Sequence, residues 1–90
     1  MVDDPLTKLY LITPPHLDDV AAFAEQLKGA LDTGGAACVQ LRLKDVHDDI
    51  IRRTADILRP VAQDRDVAFV INDRPDLARE TGSDGVHVGQ

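Results

Sequence analysis

A wholly parallel α/β fold is predicted for this 90-residue chain by three observations. Short apolar, β-prone runs alternate with longer stretches of helical periodicity. The runs recur at a constant interval, with 30 residues from Leu9 to Val39 and 30 again from Val39 to Phe69. Connections of that length are crossovers, which join parallel strands and are right-handed in nearly all proteins. Polar residues also gather repeatedly where an apolar run ends: Gln40-Leu41-Arg42-Leu43-Lys44, Asn72-Asp73-Arg74 and Gly85-Val86-His87-Val88-Gly89-Gln90. In α/β proteins that end of the sheet binds ligands, because the loops leaving the strands converge there.

The elements follow in order. Leu9-Tyr10-Leu11-Ile12 reads as the first strand, about residues 8–12, ended by Pro14-Pro15. Asp18 and Asp19 suit the first turn of a helix whose apolar residues are Val20, Phe23, Ala24, Leu27 and Leu31. Gly34-Gly35 supplies a left-handed stop. The second strand covers about 37–42. Asp48 and Asp49 open a second helix with Ile50, Ile51, Thr54, Ile57, Leu58 and Val61 on one stripe, and Pro60 predicts a kink or an early end. The third strand, about 67–71, is an unbroken apolar run of the kind covered on both faces. Pro75 starts a short third helix, Gly82 stops it, and about 84–88 is the fourth strand.

The order is therefore β-α-β-α-β-α-β, with the helices on one side of the sheet. An open doubly wound sheet and a (β/α)8 barrel both accommodate it. No G-x-G-x-x-G follows the first strand, which disfavours the dinucleotide-binding version of the open sheet. Four strands are half of an eight-stranded barrel.

The length allows one domain, residues 1–90, with one modest core. A formal charge of −6 argues against nucleic acid, which requires a basic face. It leaves room for an anionic small ligand, since a few local cations can reverse the field inside a cleft. Cys38 is the single cysteine, so no intrachain disulfide forms, and its apolar neighbours predict a buried, inert thiol. The first residues carry no basic targeting region and no apolar run approaches a membrane span, so a cytoplasmic location is expected.

Strand alternation places Gln40 and Arg42 on one face, with Val39 and Leu41 on the other. The apolar face suits the helices, so Gln40 and Arg42 point inward. An inward arginine is unfavourable without an anionic partner, and its planar fork matches a phosphate. Lys44 adds a second positive charge. The alternative is that Arg42 and Lys44 fray into solvent where the strand ends. Asp73 could hold Mg²⁺, although by itself it reads better as a cap for the helix begun by Pro75, with Asp76 favourable in its first turn. His87, between two valines, fits a hydrogen-bonded core residue better than a catalyst, and Tyr10 reads as core with a polar tip. His16 and His47 carry no signal.

Together these segments resemble the thiamine phosphate synthase (thiamine-phosphate pyrophosphorylase) family. The matching pieces are Leu9-Tyr10-Leu11-Ile12-Thr13, Gln40-Leu41-Arg42-x-Lys44, Ile71-Asn72-Asp73-Arg74-x-Asp76-Leu77-Ala78 and Gly82-x-Asp84-Gly85-Val86-His87-Val88-Gly89-Gln90. The resemblance implies the first half of a (β/α)8 TIM barrel that joins a pyrimidine diphosphate to a thiazole phosphate, with Mg²⁺, releasing pyrophosphate. It implies that Gln40, Leu41, Arg42, Leu43, Lys44 and Asn72 bind the pyrimidine diphosphate. Arg42 and Lys44 would act in catalysis, Asp73 would ligate Mg²⁺, and Tyr10 and His87 would line the pyrimidine pocket.

Leu43 stands where many members have Glu. The family's second Mg²⁺-binding Asp would fall two positions beyond Gln90. On this resemblance the chain is expected to be the amino-terminal half of such an enzyme, inactive alone unless two copies pair through exposed strand edges or a missing half joins. The alternatives are a thiazole tautomerase-like paralogue and a non-catalytic, phosphate-binding half barrel.

Overall fold

The computed structural model describes residues 9–88. The predicted strand start at position 8 and the Gly89-Gln90 pair lie outside them. Seven elements alternate as expected: β1 (Leu9–Ile12), α1 (Val20–Asp32), β2 (Ala36–Leu41), α2 (Asp48–Gln63), β3 (Ala68–Asn72), α3 (Pro75–Glu80) and β4 (Gly85–His87). Strand limits differ from the sequence reading by one residue or so.

All three strand pairings are parallel and the spatial order is β1-β2-β3-β4. A doubly wound sheet reverses its strand order at a switch point. No reversal occurs among these strands, so the arrangement is that of consecutive (β/α) barrel units. The register places Ile12 beside Gln40, Gln40 beside Val70, and Val70 beside Gly85. One residue further along, Ile71 pairs with Val86 and Asn72 with His87.

One face of the sheet makes the core. Val39, Leu41, Phe69 and Ile71 project onto the helices and meet Leu27 and Leu31 from α1, Ala55 and Leu58 from α2, and Leu77 from α3. Phe69 and Leu58 are fully shielded from solvent. Burying such a side chain contributes about 1.5–3 kcal/mol, so this single layer dominates the stability. Cys38 is buried as expected, and burial, reinforced by Asp84, pushes its thiol pKa up. A raised pKa keeps it protonated and unreactive at neutral pH.

Local signals explain the helix limits. The Asp19 carboxylate caps α1 by accepting the Ala22 N–H at 3.0 Å. The helix stops where Gly34 turns to φ +80°, its N–H bonded to the Leu31 carbonyl. Two expectations for α2 need correction. Of the kink or early end expected at Pro60, the early end does not occur, since the helix runs on to Gln63. Pro60 leaves the Asp56 carbonyl without its usual donor, and Asp56 is exposed, so water can serve it while Val61 and Ala62 keep the last turn docked in the core. The buried stripe is Ile51, Thr54, Ala55, Leu58, Val61 and Ala62, whereas Ile50 and Ile57 are largely exposed on its flank.

Asp84 ties β4 to β3 at the amino-terminal end of the sheet. Its carboxylate accepts the Phe69 N–H at 2.8 Å and the Gln63 side-chain amide at 3.2 Å. A cavity of about 570 Å³ there is lined by Gln63, Asp66, Val67, Ala68 and Asp84. That end of a (β/α) barrel serves stability, whereas reactive groups cluster at the other.

Candidate functional site

The face of the sheet opposite the helices carries Tyr10 and Ile12 from β1, Gln40 from β2, Asn72 from β3 and His87 from β4. With Arg42 and Asp73, which lie one residue past β2 and β3, they line a cavity of about 540 Å³. A volume of that size accommodates a small organic ligand. The cavity lies at the carboxyl ends of the strands, where polar clusters were expected to converge.

The strand exits are laced together by backbone bonds. The Thr13 N–H donates to the Gln40 carbonyl, the Arg42 N–H to the buried Thr13 hydroxyl, and the Lys44 N–H to the Pro15 carbonyl, each at 3.0 Å. Thr13 thus sets where the Arg42 side chain starts. On the other side, the Asp73 N–H donates to the His87 carbonyl at 2.7 Å. Asp73 holds the left-handed conformation, φ +59°, which disfavours residues bearing a Cβ by about 1–2 kcal/mol. The conformation turns the chain sharply after Asn72 and brings both residues to the cavity.

Among the described residues, two cavity groups lack side-chain partners. Gln40 is only 4% exposed, yet its side-chain amide makes no hydrogen bond with the described residues. Burying such a group without a partner costs about 1–3 kcal/mol, but the amide atoms keep contact with the cavity solvent, where water or a ligand can serve them. The Arg42 guanidinium also forms no ion pair among the described residues, whereas Arg52, Arg65 and Arg74 each bind a carboxylate. The polar groups over the cavity are thus poised toward its interior.

Arg74 behaves differently from its neighbours. Its guanidinium lies outside the cavity wall and grips Asp48, at the start of α2, through two bonds of 2.6 and 2.9 Å. It also binds Asp76, in the first turn of α3, at 2.9 and 3.2 Å. Hydrogen bonds from Arg74 hold both carboxyls below the usual carboxylate range, and the carboxylates in turn raise the guanidinium's pKa.

The structure brings six of the nine expected site residues together: Tyr10, Gln40, Arg42, Asn72, Asp73 and His87. Leu41 and Leu43 do not join them. Their side chains point to the helix side, Leu41 within the core and Leu43 packed against it, because alternation puts them on the face opposite Gln40 and Arg42. Lys44 is exposed at the same end but outside the cavity wall. Tyr10 is 67% exposed rather than core, and His87 is exposed with no side-chain bond among the described residues, so the bland readings of both fail. The N-cap position of α3 is held by Arg74, whose own side chain makes no capping bond. Ile12 was not singled out, although its parity with Tyr10 marked it.

Among the described residues no three His, Cys, Asp or Glu side chains cluster as a metal site. The cavity's donors suited to a hard cation are the Asp73 carboxylate and the Asn72 side-chain oxygen. That set fits Mg²⁺, which commonly binds one or two carboxylates and completes its shell with phosphate oxygens and water.

Comparison with known proteins gives a consistent result. Residues 9–90 match the family model described as thiamine monophosphate synthase. A thiamine-phosphate synthase from Rhodospirillum centenum is 63% identical over 83 residues, which covers 92% of this chain and 40% of that protein. One from Hyphomonas neptunium is 44% identical over 89 residues, again covering 40% of the relative. Among solved structures, a thiamine phosphate pyrophosphorylase from Pyrococcus furiosus superposes with a TM-score of 0.69 at 32% identity, covering 89% of this chain and 38% of that one. The chain therefore spans about 40% of the length of the curated relatives it matches.

Proposed function

The chain belongs to the thiamine monophosphate synthase family, and on that premise we propose that it forms the pyrimidine-diphosphate side of a thiamine-phosphate synthase active site. The substrate is 4-amino-2-methyl-5-(diphosphomethyl)pyrimidine, the acceptor is thiazole phosphate, and the products are thiamine phosphate and pyrophosphate. One observation carries the reading: the Gln40 amide and the Arg42 guanidinium, neither with a side-chain partner among the described residues, converge with Asn72, Asp73 and His87 on one small-molecule cavity.

The roles follow from the chemistry of each group. Gln40 can donate to and accept from a ring that itself offers both kinds of site, while Tyr10, Ile12 and His87 supply surface for an aromatic ring. Arg42 presents a planar fork to diphosphate oxygens, and Lys44 adds positive charge at the same end. In the reaction, the bond from the pyrimidine methylene carbon to the diphosphate oxygen breaks, with both electrons leaving on oxygen. The thiazole nitrogen lone pair then forms the new carbon–nitrogen bond. No protein nucleophile is needed; the protein's task is to stabilise negative charge growing on the leaving group, and a preorganised Arg42 does so. Mg²⁺, held by Asp73 and Asn72 in this proposal, neutralises further diphosphate charge when bound.

Because the chain spans about 40% of its relatives, turnover is assigned to a complete barrel, in which the free edges of β1 and β4 are paired. A cytoplasmic location belongs to the same proposal, since both phosphorylated substrates are membrane-impermeant. No helix among the described residues is long and apolar enough to cross a membrane.

Calorimetric titration of the chain with the pyrimidine diphosphate and Mg²⁺ tests the reading. Binding is expected, and Arg42→Ala should weaken it at least tenfold while shifting stability by no more than about 0.5 kcal/mol, since this exposed side chain supports no internal contact. Unchanged affinity refutes the assignment. Binding of thiazole phosphate alone, with none of the pyrimidine diphosphate, would favour the tautomerase-like function.

A further inference from the structure

Arg74 sits in the middle of a charged motif, Asn72-Asp73-Arg74-Pro75-Asp76, and so invites assignment as another anion ligand. Its position says otherwise. The guanidinium does not line the cavity, and four of its N–H···O contacts, to Asp48 and Asp76, are already made. A cation so fully engaged has little left to offer a diphosphate.

What the contacts join is more telling. Asp48 is the first residue of α2, directly after the loop that leaves β2 with Arg42 and Lys44. Arg74 directly follows the left-handed Asp73, at the exit from β3. The Asp48–Arg74 fork therefore bridges two loops 26 positions apart in sequence, one bearing the cavity's arginine and the other its carboxylate. His47 and Arg74 occupy the N-cap positions of the two helices, and neither side chain makes a capping bond. The ion pair with Asp76 completes a clamp across the starts of both helices.

We propose that Arg74 is a positioning residue: with Asp48 it locks the β2–α2 loop against the β3–α3 turn, so that Arg42 and the Asn72-Asp73 pair address the same ligand. The proposal rests on the diphosphate-binding reading of the cavity but is testable apart from it. A bidentate fork fixes both distance and orientation, which a single ammonium cannot reproduce. Arg74→Lys keeps the charge and removes the geometry; Asp48→Asn removes the charge and nearly keeps the shape.

The experiment has two arms, each run on the chain and on the two variants. Amide hydrogen exchange, read residue by residue by NMR, needs no ligand and reports on the Asp73 N–H bonded to His87. Calorimetry with Mg²⁺ and inorganic pyrophosphate reports on the ligand. Exchange at Asp73 is expected to accelerate at least fivefold in both variants, with Phe69 and Ile71 unchanged, and pyrophosphate affinity to fall three- to tenfold. The double variant should do no worse than either single one, because both break the same lock.

Unchanged exchange at Asp73 in both variants overturns the proposal. So does a uniform acceleration at Asp73, Phe69 and Ile71, which marks global destabilisation. Asp48→Glu, which keeps the carboxylate, should restore slow exchange in part, and failure to do so counts against the lock. If Asp73 exchange responds as expected while no variant or parent binds pyrophosphate, the lock stands and the diphosphate reading falls.

Discussion

Gln40→Met separates binding from folding most sharply. Gln40 is 4% exposed as a residue and its amide has no hydrogen-bond partner among the described residues, while its neighbours across the sheet, Ile12 and Val70, are apolar. Met has nearly the same length and volume, so the substitution removes a poorly satisfied polar group without opening a void. Relief of desolvation is worth about 1–3 kcal/mol for a wholly dry amide. The cavity side of Gln40 retains some access to water, so we expect a gain of about 1 kcal/mol. For a domain of this size that is a rise in Tm of about 4–8 °C, with an unchanged denaturant m-value. The same change should lower affinity for the pyrimidine diphosphate at least tenfold, measured by calorimetry. Loss of more than about 1 kcal/mol of stability would show that the amide is satisfied in the free protein, and unchanged affinity would show that it does not meet the ligand. Either result refutes the reasoning.

Two further outcomes follow from the same structure. Pro60→Ala should stabilise the chain by about 1–2 kcal/mol in urea titrations, since it restores the bond to the Asp56 carbonyl and relieves a clash inside a helix, less the entropy proline removes from the unfolded chain. Acid should destabilise the fold through Asp48 and Asp76, whose pKa values are held down by hydrogen bonds from Arg74. A depressed carboxyl contributes stability that is fully present above its unfolded pKa, about 3.9, and lost as pH falls through its lower folded value. Denaturation curves should therefore coincide between pH 5 and 7 and weaken below about pH 4, less steeply in Arg74→Lys.

Local patterning carried the architecture a long way. The 30-residue interval, the alternation of Val39 and Leu41 with Gln40 and Arg42 and the Gly34 stop all report short-range physics, and each is realised, whereas Asp19, expected in the first turn of α1, is its cap. What patterning could not do was say whether the inner face of the sheet would be covered. Tyr10 and His87 read as core residues because apolar neighbours imply burial, and only the one-sided packing of the helices leaves them at an open cavity.

From the sequence by itself came the element order, the parallel sheet, the core face and the end of the sheet where chemistry gathers, because backbone and side-chain periods are properties of neighbours in the chain. The tertiary structure alone decided that the Gln40 amide finds no partner among the described residues, that α2 passes through Pro60, that Lys44 stays outside the cavity wall, and that Arg74 binds Asp48. Each of these depends on which groups lie within about 3 Å in space. That distance is set by how the helices dock on the sheet, tens of residues away along the chain.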